Sequence, residues 1–124
     1  MTDLIKLEDV NSKIISIRNT NVILDSDVAA LYGVETKRIN EAVRNNPDKF
    51  PEGYVFSVQN AERKELVENF DRFNNLKHSI STKAFTKKGC YMLATILKSP
   101  KATQTTIAIK IKHTVKRSKS VKRP

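Results

Sequence analysis

The sequence predicts an α+β fold in which a β-hairpin is followed by a helix-turn-helix, a further strand and additional packed helices. Three observations support this prediction. Two β-rich runs flank a polar turn between residues 13 and 24. Two short helical patterns, interrupted by Gly33, occupy residues 25–46. Later segments change between the two-residue period of strands and the 3.6-residue period of helices.

The hairpin is predicted from its composition. The runs Ile14–Arg18 and Val22–Leu24 are rich in β-branched residues, and the polar residues Asn19–Asn21 form the expected turn between them. Residues 1–12 are expected to form a short helix or to fray. Because Arg18 is the only basic residue at the turn, we expect the hairpin to close the core rather than to act as a nucleic-acid-binding wing.

The first helix of the helix-turn-helix is expected to begin at Asp25 or Ser26, whose side-chain oxygens can accept hydrogen bonds from first-turn amide groups. It should run through Tyr32 and end at Gly33, because glycine tolerates the positive φ of a sharp helix end. Val34 can then fold back onto this helix.

The second helix is predicted over Thr36–Asn45, with an apolar face made by Ile39, Ala42 and Val43. Ala29, Gly33 and Ile39 have the spacing of a helix-turn-helix, in which a small residue lets two helices cross closely. The outer face of the second helix is then free of core contacts and available to a ligand.

Proline at position 47 should end the second helix at Asn46, because a residue before proline avoids the helical region. A turn is expected at Phe50–Gly53. The strand that follows, Tyr54–Val58, should place three side chains on one core face, namely Tyr54, Phe56 and Val58.

The next helix is predicted over Ala61–Phe70, with Asn60 as its cap and an apolar stripe at Leu66, Val67 and Phe70. Its acidic residues should face outward: Glu62, Glu65, Glu68 and Asp71. An acidic face repels phosphate, so we expect this helix to lie away from any nucleic acid. The polar stretch Asp71–Thr82 is expected to be a surface loop.

The last predicted elements are a short extended segment at Lys83–Phe85 and a helix from Lys87 to about Lys98, capped by Thr86. Cys90 lies on the apolar face of that helix, so we interpret it as a buried small side chain rather than a reactive thiol. Residues 101–117 could form a final helix, but the sequence is ambiguous here, because their isoleucines fit a strand as well as a helix and their threonines weaken helix propensity.

The composition limits the class of protein. The 124 residues include 23 Lys and Arg against 13 Asp and Glu, a formal net charge of +10, which favours a polyanionic partner. The single Cys90 excludes an internal disulfide and a multi-cysteine zinc site. The amino terminus lacks a basic n-region, and no apolar run is long enough to span a bilayer. We expect a cytoplasmic protein with no membrane, metal or cofactor.

Four stretches carry a family likeness: Val22–Val34 (VILDSDVAALYGV), Thr36–Asn45 (TKRINEAVRN), Phe50–Phe56 (FPEGYVF) and Ala84–Gly89 (AFTKKG). In order and spacing they resemble the phage-type KilA-N DNA-binding domain, an ORF6N-like domain of phage and prophage regulatory or antirepressor-like proteins. The resemblance covers about residues 13–105. It implies a compact DNA-binding domain, often followed by a variable second domain.

Two departures from the family pattern stand out. Lys87 and Lys88 lie where family members often carry an acidic residue. Similar proteins also continue into an aromatic-containing helix, whereas this chain becomes lysine-rich and stops at Pro124, as expected of a carboxy-terminally truncated prophage protein. We therefore expect a DNA-binding domain at 13–109 and a flexible basic tail at 110–124 that adds attraction to phosphate.

These features predict a non-enzymatic, sequence-specific DNA-binding protein, either a transcriptional regulator or an antirepressor-like module. Its second helix would read the major groove of double-stranded DNA. The expected contacts are Lys37 or Arg44 to guanine, Asn40 to adenine, Glu41 to cytosine, Thr36 to phosphate, and Arg38 and Lys49 to the DNA backbone. Because a small monomer that reads few base pairs binds weakly, we expect either a homodimer or binding to tandem sites, and the sequence does not distinguish the two.

Other classes of protein remain as alternatives. A metal-dependent nuclease is disfavoured, because the carboxylates lie mostly on one helix face and His78 and His113 belong to no shared motif. A protein-interaction module, or a prophage remnant with only non-specific DNA affinity, would also be basic. Salt dependence together with sequence preference distinguishes these possibilities.

Overall fold

The structure, a computed structural model, describes residues 7–78, 82–98 and 100–105. The fold is α+β, as predicted. Its elements in chain order are α1 (Leu7–Lys13), β1 (Ile15–Ile17), β2 (Thr20–Leu24), α2 (Asp25–Tyr32), α3 (Thr36–Asn45), a first 3₁₀ helix (Pro47–Lys49), β3 (Val55–Ser57), α4 (Asn60–Asn69), a second 3₁₀ helix (Asp71–His78), β4 (Lys83–Phe85) and α5 (Lys87–Leu97).

The four strands form one antiparallel sheet in the order β1-β2-β4-β3. Phe85 of β4 pairs with Ile23 of β2 and with Val55 of β3. Because successive side chains of a strand point to opposite faces, these three residues share one face of the sheet. Leu24 and Ala84 occupy the other face.

Each face of the sheet carries its own hydrophobic cluster. The first cluster joins Ile23 and Phe85 to buried residues of α2, α3 and α5. The second cluster joins Leu24 and Ala84 to Leu66 of α4 and to the second 3₁₀ helix. The sheet therefore separates α3 on one side from α4 on the other.

The hairpin turn lies one residue earlier than predicted. Ile17 pairs with Thr20, so the turn consists of Arg18 and Asn19, whose φ angles are 57° and 60°. Positive φ at both central residues is the feature of type I′ turns, whose twist matches that of the flanking strands. Asparagine tolerates this conformation well, which explains the position of Asn19.

The prediction that Tyr54, Phe56 and Val58 share one core face was wrong in part. Phe56 and Val58 lie in the second cluster, but Tyr54 packs against the first cluster. Tyr54 precedes the paired strand, so it does not follow the two-residue alternation of β3. Both sides of this segment are covered because helices pack on both faces of the sheet.

Two details around α4 also differ from the prediction. Gln59, not Asn60, is the cap, and it forms a capping box with Glu62. The expected surface loop after α4 begins with the second 3₁₀ helix, in which Phe73 is only 4% exposed. Phe70 lies beyond α4 and is exposed.

The chain after α5 returns to α2. Residues 100–105 are helical, and the buried Thr105 hydroxyl donates to the carbonyl oxygen of Leu31 at 3.0 Å. Of the two alternatives left open for residues 101–117, the described residues 101–105 adopt the helix. The rest of that helix, the domain boundary at 109, the tail at 110–124 and residues 1–6 lie outside the described residues.

Candidate nucleic-acid interface

The connection between α2 and α3 has the expected form. Gly33 ends α2 in the left-handed conformation, with φ 72° and ψ 34°. The amide of Val34 donates to the carbonyl oxygen of Ala29 at 3.0 Å, so the chain folds back over the last turn of α2. Ala29 and Ile39 are both buried in the first cluster, in agreement with a close crossing of the two helices.

The outer face of α3 carries exposed cations. Ile39 and Ala42 are buried beneath the helix, which has the predicted bounds Thr36–Asn45. Lys37, Arg38 and Arg44 are exposed, and within residues 7–78, 82–98 and 100–105 their side chains form no ion pair or hydrogen bond. These cations are therefore available to an external anion.

The remaining predicted contact residues are placed less uniformly. Lys49 is exposed in the first 3₁₀ helix, whereas Thr36 and Glu41 are half-buried. Asn40 departs most from the expectation, because its side chain turns toward α2 and donates from Nδ2 to Oδ2 of Asp25 at 3.3 Å. Asn40 therefore lies at the edge of the α2–α3 contact and not on the freely exposed face.

Two of the sequence motifs, FPEGYVF at residues 50–56 and AFTKKG at residues 84–89, meet at one joint. The Thr86 hydroxyl donates to the Gly53 carbonyl oxygen at 2.7 Å, and the Thr86 amide donates to the Tyr54 carbonyl oxygen at 3.1 Å. Gly89, in the first turn of α5, lies so close to the Tyr54 carbonyl that a Cβ atom there would collide with it. The sequence prediction missed this joint; its one signal is a glycine inside a helical pattern.

The family of the chain follows from a match that includes both motifs and the α2–α3 unit. The model of the ORF6N domain matches residues 12–96. The chain belongs to the ORF6N domain family. This family is in general phage-type, non-enzymatic and DNA-associated. No curated protein and no solved structure matches the chain significantly.

Charge is distributed unevenly across this ORF6N domain. The acidic helix α4 lies on the opposite face of the sheet from α3. Glu62, however, does not face solvent freely. It accepts from the Gln59 amide and pairs with Arg18 at 2.7 Å, and the hydrogen bond from Arg18 lowers the pKa of Glu62.

The turn of the hairpin is occupied by contacts within the ORF6N domain. The Arg18 guanidinium donates to both carboxylate oxygens of Glu62 and to the Ser57 carbonyl oxygen, and it stacks over the Phe56 ring at 4.1 Å. This agrees with a hairpin that closes the core, because the one basic side chain of the turn is engaged by the protein.

Cys90 is buried in the described part of the ORF6N domain. Burial raises the pKa of the Cys90 thiol to about 12, which fits the interpretation of Cys90 as a core residue. Within residues 7–78, 82–98 and 100–105, no three His, Cys, Asp or Glu side chains converge on a possible metal site. In the same residues no helix has the length and apolarity to cross a membrane.

Proposed function

We propose that this chain is a sequence-specific DNA-binding protein of phage or prophage type, a transcriptional regulator or antirepressor-like module that acts in the cytoplasm. The observation that carries the proposal is the outer face of α3, where Lys37, Arg38 and Arg44 are exposed and their side chains form no ion pair or hydrogen bond with any other described residue. The opposite face of the same helix is anchored by Ile39 and Ala42. A rigid helix with a free cationic face fits the major groove.

The chemistry of the face suggests how contacts divide between bases and backbone. Lys37 and Arg44 carry donors that match the O6 and N7 acceptors of guanine. Glu41 can accept from the N4 amino group of cytosine. In this proposal Arg38 and Lys49 bind phosphate and set the register of the helix in the groove.

Thr36 extends the phosphate contacts at the start of α3, where its hydroxyl can donate to a phosphate. A single copy of α3 reads few base pairs, so we propose that a homodimer binds two half-sites about one helical turn of DNA apart. The basic tail at 110–124 would add attraction that does not depend on sequence.

The test is fluorescence anisotropy with labelled duplex DNA, at low and near-physiological salt. The variant Lys37→Ala/Arg44→Ala should lose at least about tenfold in affinity for a duplex selected by the wild type, since each bidentate base contact contributes roughly 1–3 kcal/mol. The matched control is Arg63→Ala/Lys64→Ala, which removes the same charge from α4 across the sheet. This control should bind within about threefold of wild type.

Three results would contradict the proposal. Equal losses in the two double variants would mean that only net charge matters. Binding unchanged by the α3 substitutions but lost on deletion of residues 110–124 would assign the affinity to the tail. Absence of any salt-sensitive DNA binding would favour a protein-interaction module.

A further inference from the structure

Asp25 is a buried acidic residue at the junction of three elements. It lies at the first position of α2 and is only 5% exposed. Its Oδ1 accepts from the Ser26 amide at 2.8 Å, and its Oδ2 accepts from Nδ2 of Asn40 and from the amide of Lys83, both at 3.3 Å. One carboxylate therefore connects the start of α2, the middle of α3 and the strand β4.

Asn40 is the member of α3 through which this connection runs. Its Nδ2 is directed to Asp25, and its Oδ1 is buried without a hydrogen-bond partner among the described residues. A buried polar atom without a partner costs free energy, so an apolar residue would pack more favourably at this boundary. The polar side chain is explained by the directional bond that it makes.

We propose that Asp25 is a positioning residue that fixes the rotation of α3 through Asn40, and that Asn40 holds the helix and does not read a base. This inference rests on the proposed function, because it concerns how α3 is presented to DNA. It replaces the adenine contact expected for Asn40 from the sequence.

The physical reason is the difference between apolar and polar contacts. Burial of Ile39 and Ala42 holds α3 on the core, but hydrophobic contacts are non-directional. A hydrogen bond to a carboxylate is directional and stronger than a neutral one. A rotation of about 20° would move atoms roughly 6 Å from the helix axis by about 2 Å, enough to break base contacts by Lys37 and Arg44.

The test compares Asp25→Asn, Asn40→Ala and the double variant, with Asn45→Ala as a matched control at an exposed position of the same helix. Anisotropy competition measures the ratio of affinities for a wild-type-selected duplex and for random duplex. A second panel substitutes each base pair of the selected duplex in turn. The ratio is insensitive to partial unfolding, because a reduced folded fraction weakens both affinities equally.

Both single variants should lower the preference for the selected duplex by about tenfold, as expected when a part-buried, charge-assisted hydrogen bond is lost or loses its charge. The loss should be spread over all base pairs that α3 reads. The double variant should be no worse than the more affected single variant, because Asn40→Ala removes the bond that Asp25→Asn weakens by removing its charge. Asn45→Ala should keep the preference of the wild type.

A loss confined to one base pair in Asn40→Ala, with Asp25→Asn unchanged, would overturn the positioning role and leave the proposed function intact. Additive losses in the double variant would also overturn it. A wild-type chain that shows no preference among duplexes would instead overturn the proposed function itself. Because Asn40→Ala alters a half-buried site, it tests the inference even if Asp25→Asn fails to fold.

Discussion

Arg18 holds a backbone conformation that residues with a Cβ atom rarely adopt. The contacts of its side chain explain how this conformation is stabilised. The φ angle of 57° is required by the two-residue hairpin turn. The guanidinium then reaches Glu62, the Ser57 carbonyl oxygen and the Phe56 ring. Contacts with residues 38 or more positions away in the sequence therefore stabilise a locally unfavourable turn.

The Arg18–Glu62 pair should make stability depend on pH. Because the pKa of Glu62 is lowered in the folded protein, the pair stabilises the fold above the ordinary pKa of glutamate. This contribution is lost as the pH falls through the lowered pKa. Glu62→Gln should therefore reduce the free energy of unfolding near neutral pH and have little effect in strong acid, as measured by urea denaturation.

Glu65→Gln is the control for that measurement, since Glu65 is an exposed residue of the same helix and makes no ion pair among the described residues. It should change stability less than Glu62→Gln near neutral pH. An effect of Glu62→Gln that is equally large at all pH values would point to packing instead of charge.

Cys90 should react with thiol reagents only after the protein opens. The side chain is 1% exposed, and burial raises the pKa of its thiol to about 12, so little thiolate is present in the folded state. Labelling by a disulfide reagent at mildly alkaline pH should be at least about a hundredfold slower than in denaturant. Rapid stoichiometric labelling of the native protein would contradict the burial of Cys90.

At the scale of elements, the joint between β3 and α5 shows why two motifs occur together. Thr86 caps α5 by accepting from the Gly89 amide at 3.3 Å, and its hydroxyl also donates to the Gly53 carbonyl oxygen. Gly89 allows the first turn of α5 to approach the Tyr54 carbonyl. The motifs FPEGYVF and AFTKKG therefore form one structural contact, and their residues diagnose the fold.

Gly89→Ala should destabilise the protein by about 3 kcal/mol or more, because the added methyl group meets a backbone carbonyl that cannot move without shifting β3. Alanine would otherwise favour a helix by roughly 0.5–1 kcal/mol. The measurement is thermal or urea unfolding followed by circular dichroism.

Gly53→Ala provides the comparison for the joint. Gly53 has a φ of 94° but open space around the position of a Cβ atom, so only backbone strain opposes the change. A loss of about 1–2 kcal/mol is expected. If Gly89→Ala lowered the free energy of unfolding less than Gly53→Ala, this would contradict the close approach of α5 to the Tyr54 carbonyl.

At the scale of the whole molecule, the two hydrophobic clusters depend on one sheet. Neighbouring residues of β2, Ile23 and Leu24, belong to different clusters, as do Ala84 and Phe85 of β4. Loss of either cluster removes support from strands that the other cluster needs. The described domain should therefore unfold as one unit.

Leu66→Ala and Leu93→Ala test this coupling, because Leu66 lies in the second cluster and Leu93 in the first. Each should lower the free energy of unfolding by roughly 2–5 kcal/mol. Far-ultraviolet circular dichroism and tyrosine fluorescence should still report a single coincident transition. Separate melting of α4 in Leu66→Ala would show that the two layers fold independently.

Features that depend on neighbouring residues were predictable from the sequence. The bounds of α3, the end of α2 at Gly33 and the cap of α5 at Thr86 all agree with the prediction. Helix caps and apolar periodicity act over three or four residues, so most of their signal lies in the local sequence, although the cap of α4 is Gln59 and not the predicted Asn60. The exposed Lys37 and Arg44 followed from the same periodicity.

The sequence by itself determined the α+β class, the α2–turn–α3 unit and its cationic outer face, because local propensity and periodicity specify them. Only the tertiary structure decided that Asn40 faces Asp25, that Arg18 occupies the hairpin turn and that Phe73 is buried. Each of these depends on partners distant in the sequence. Such contacts form when the sheet brings its two helical layers together, and no local pattern encodes them.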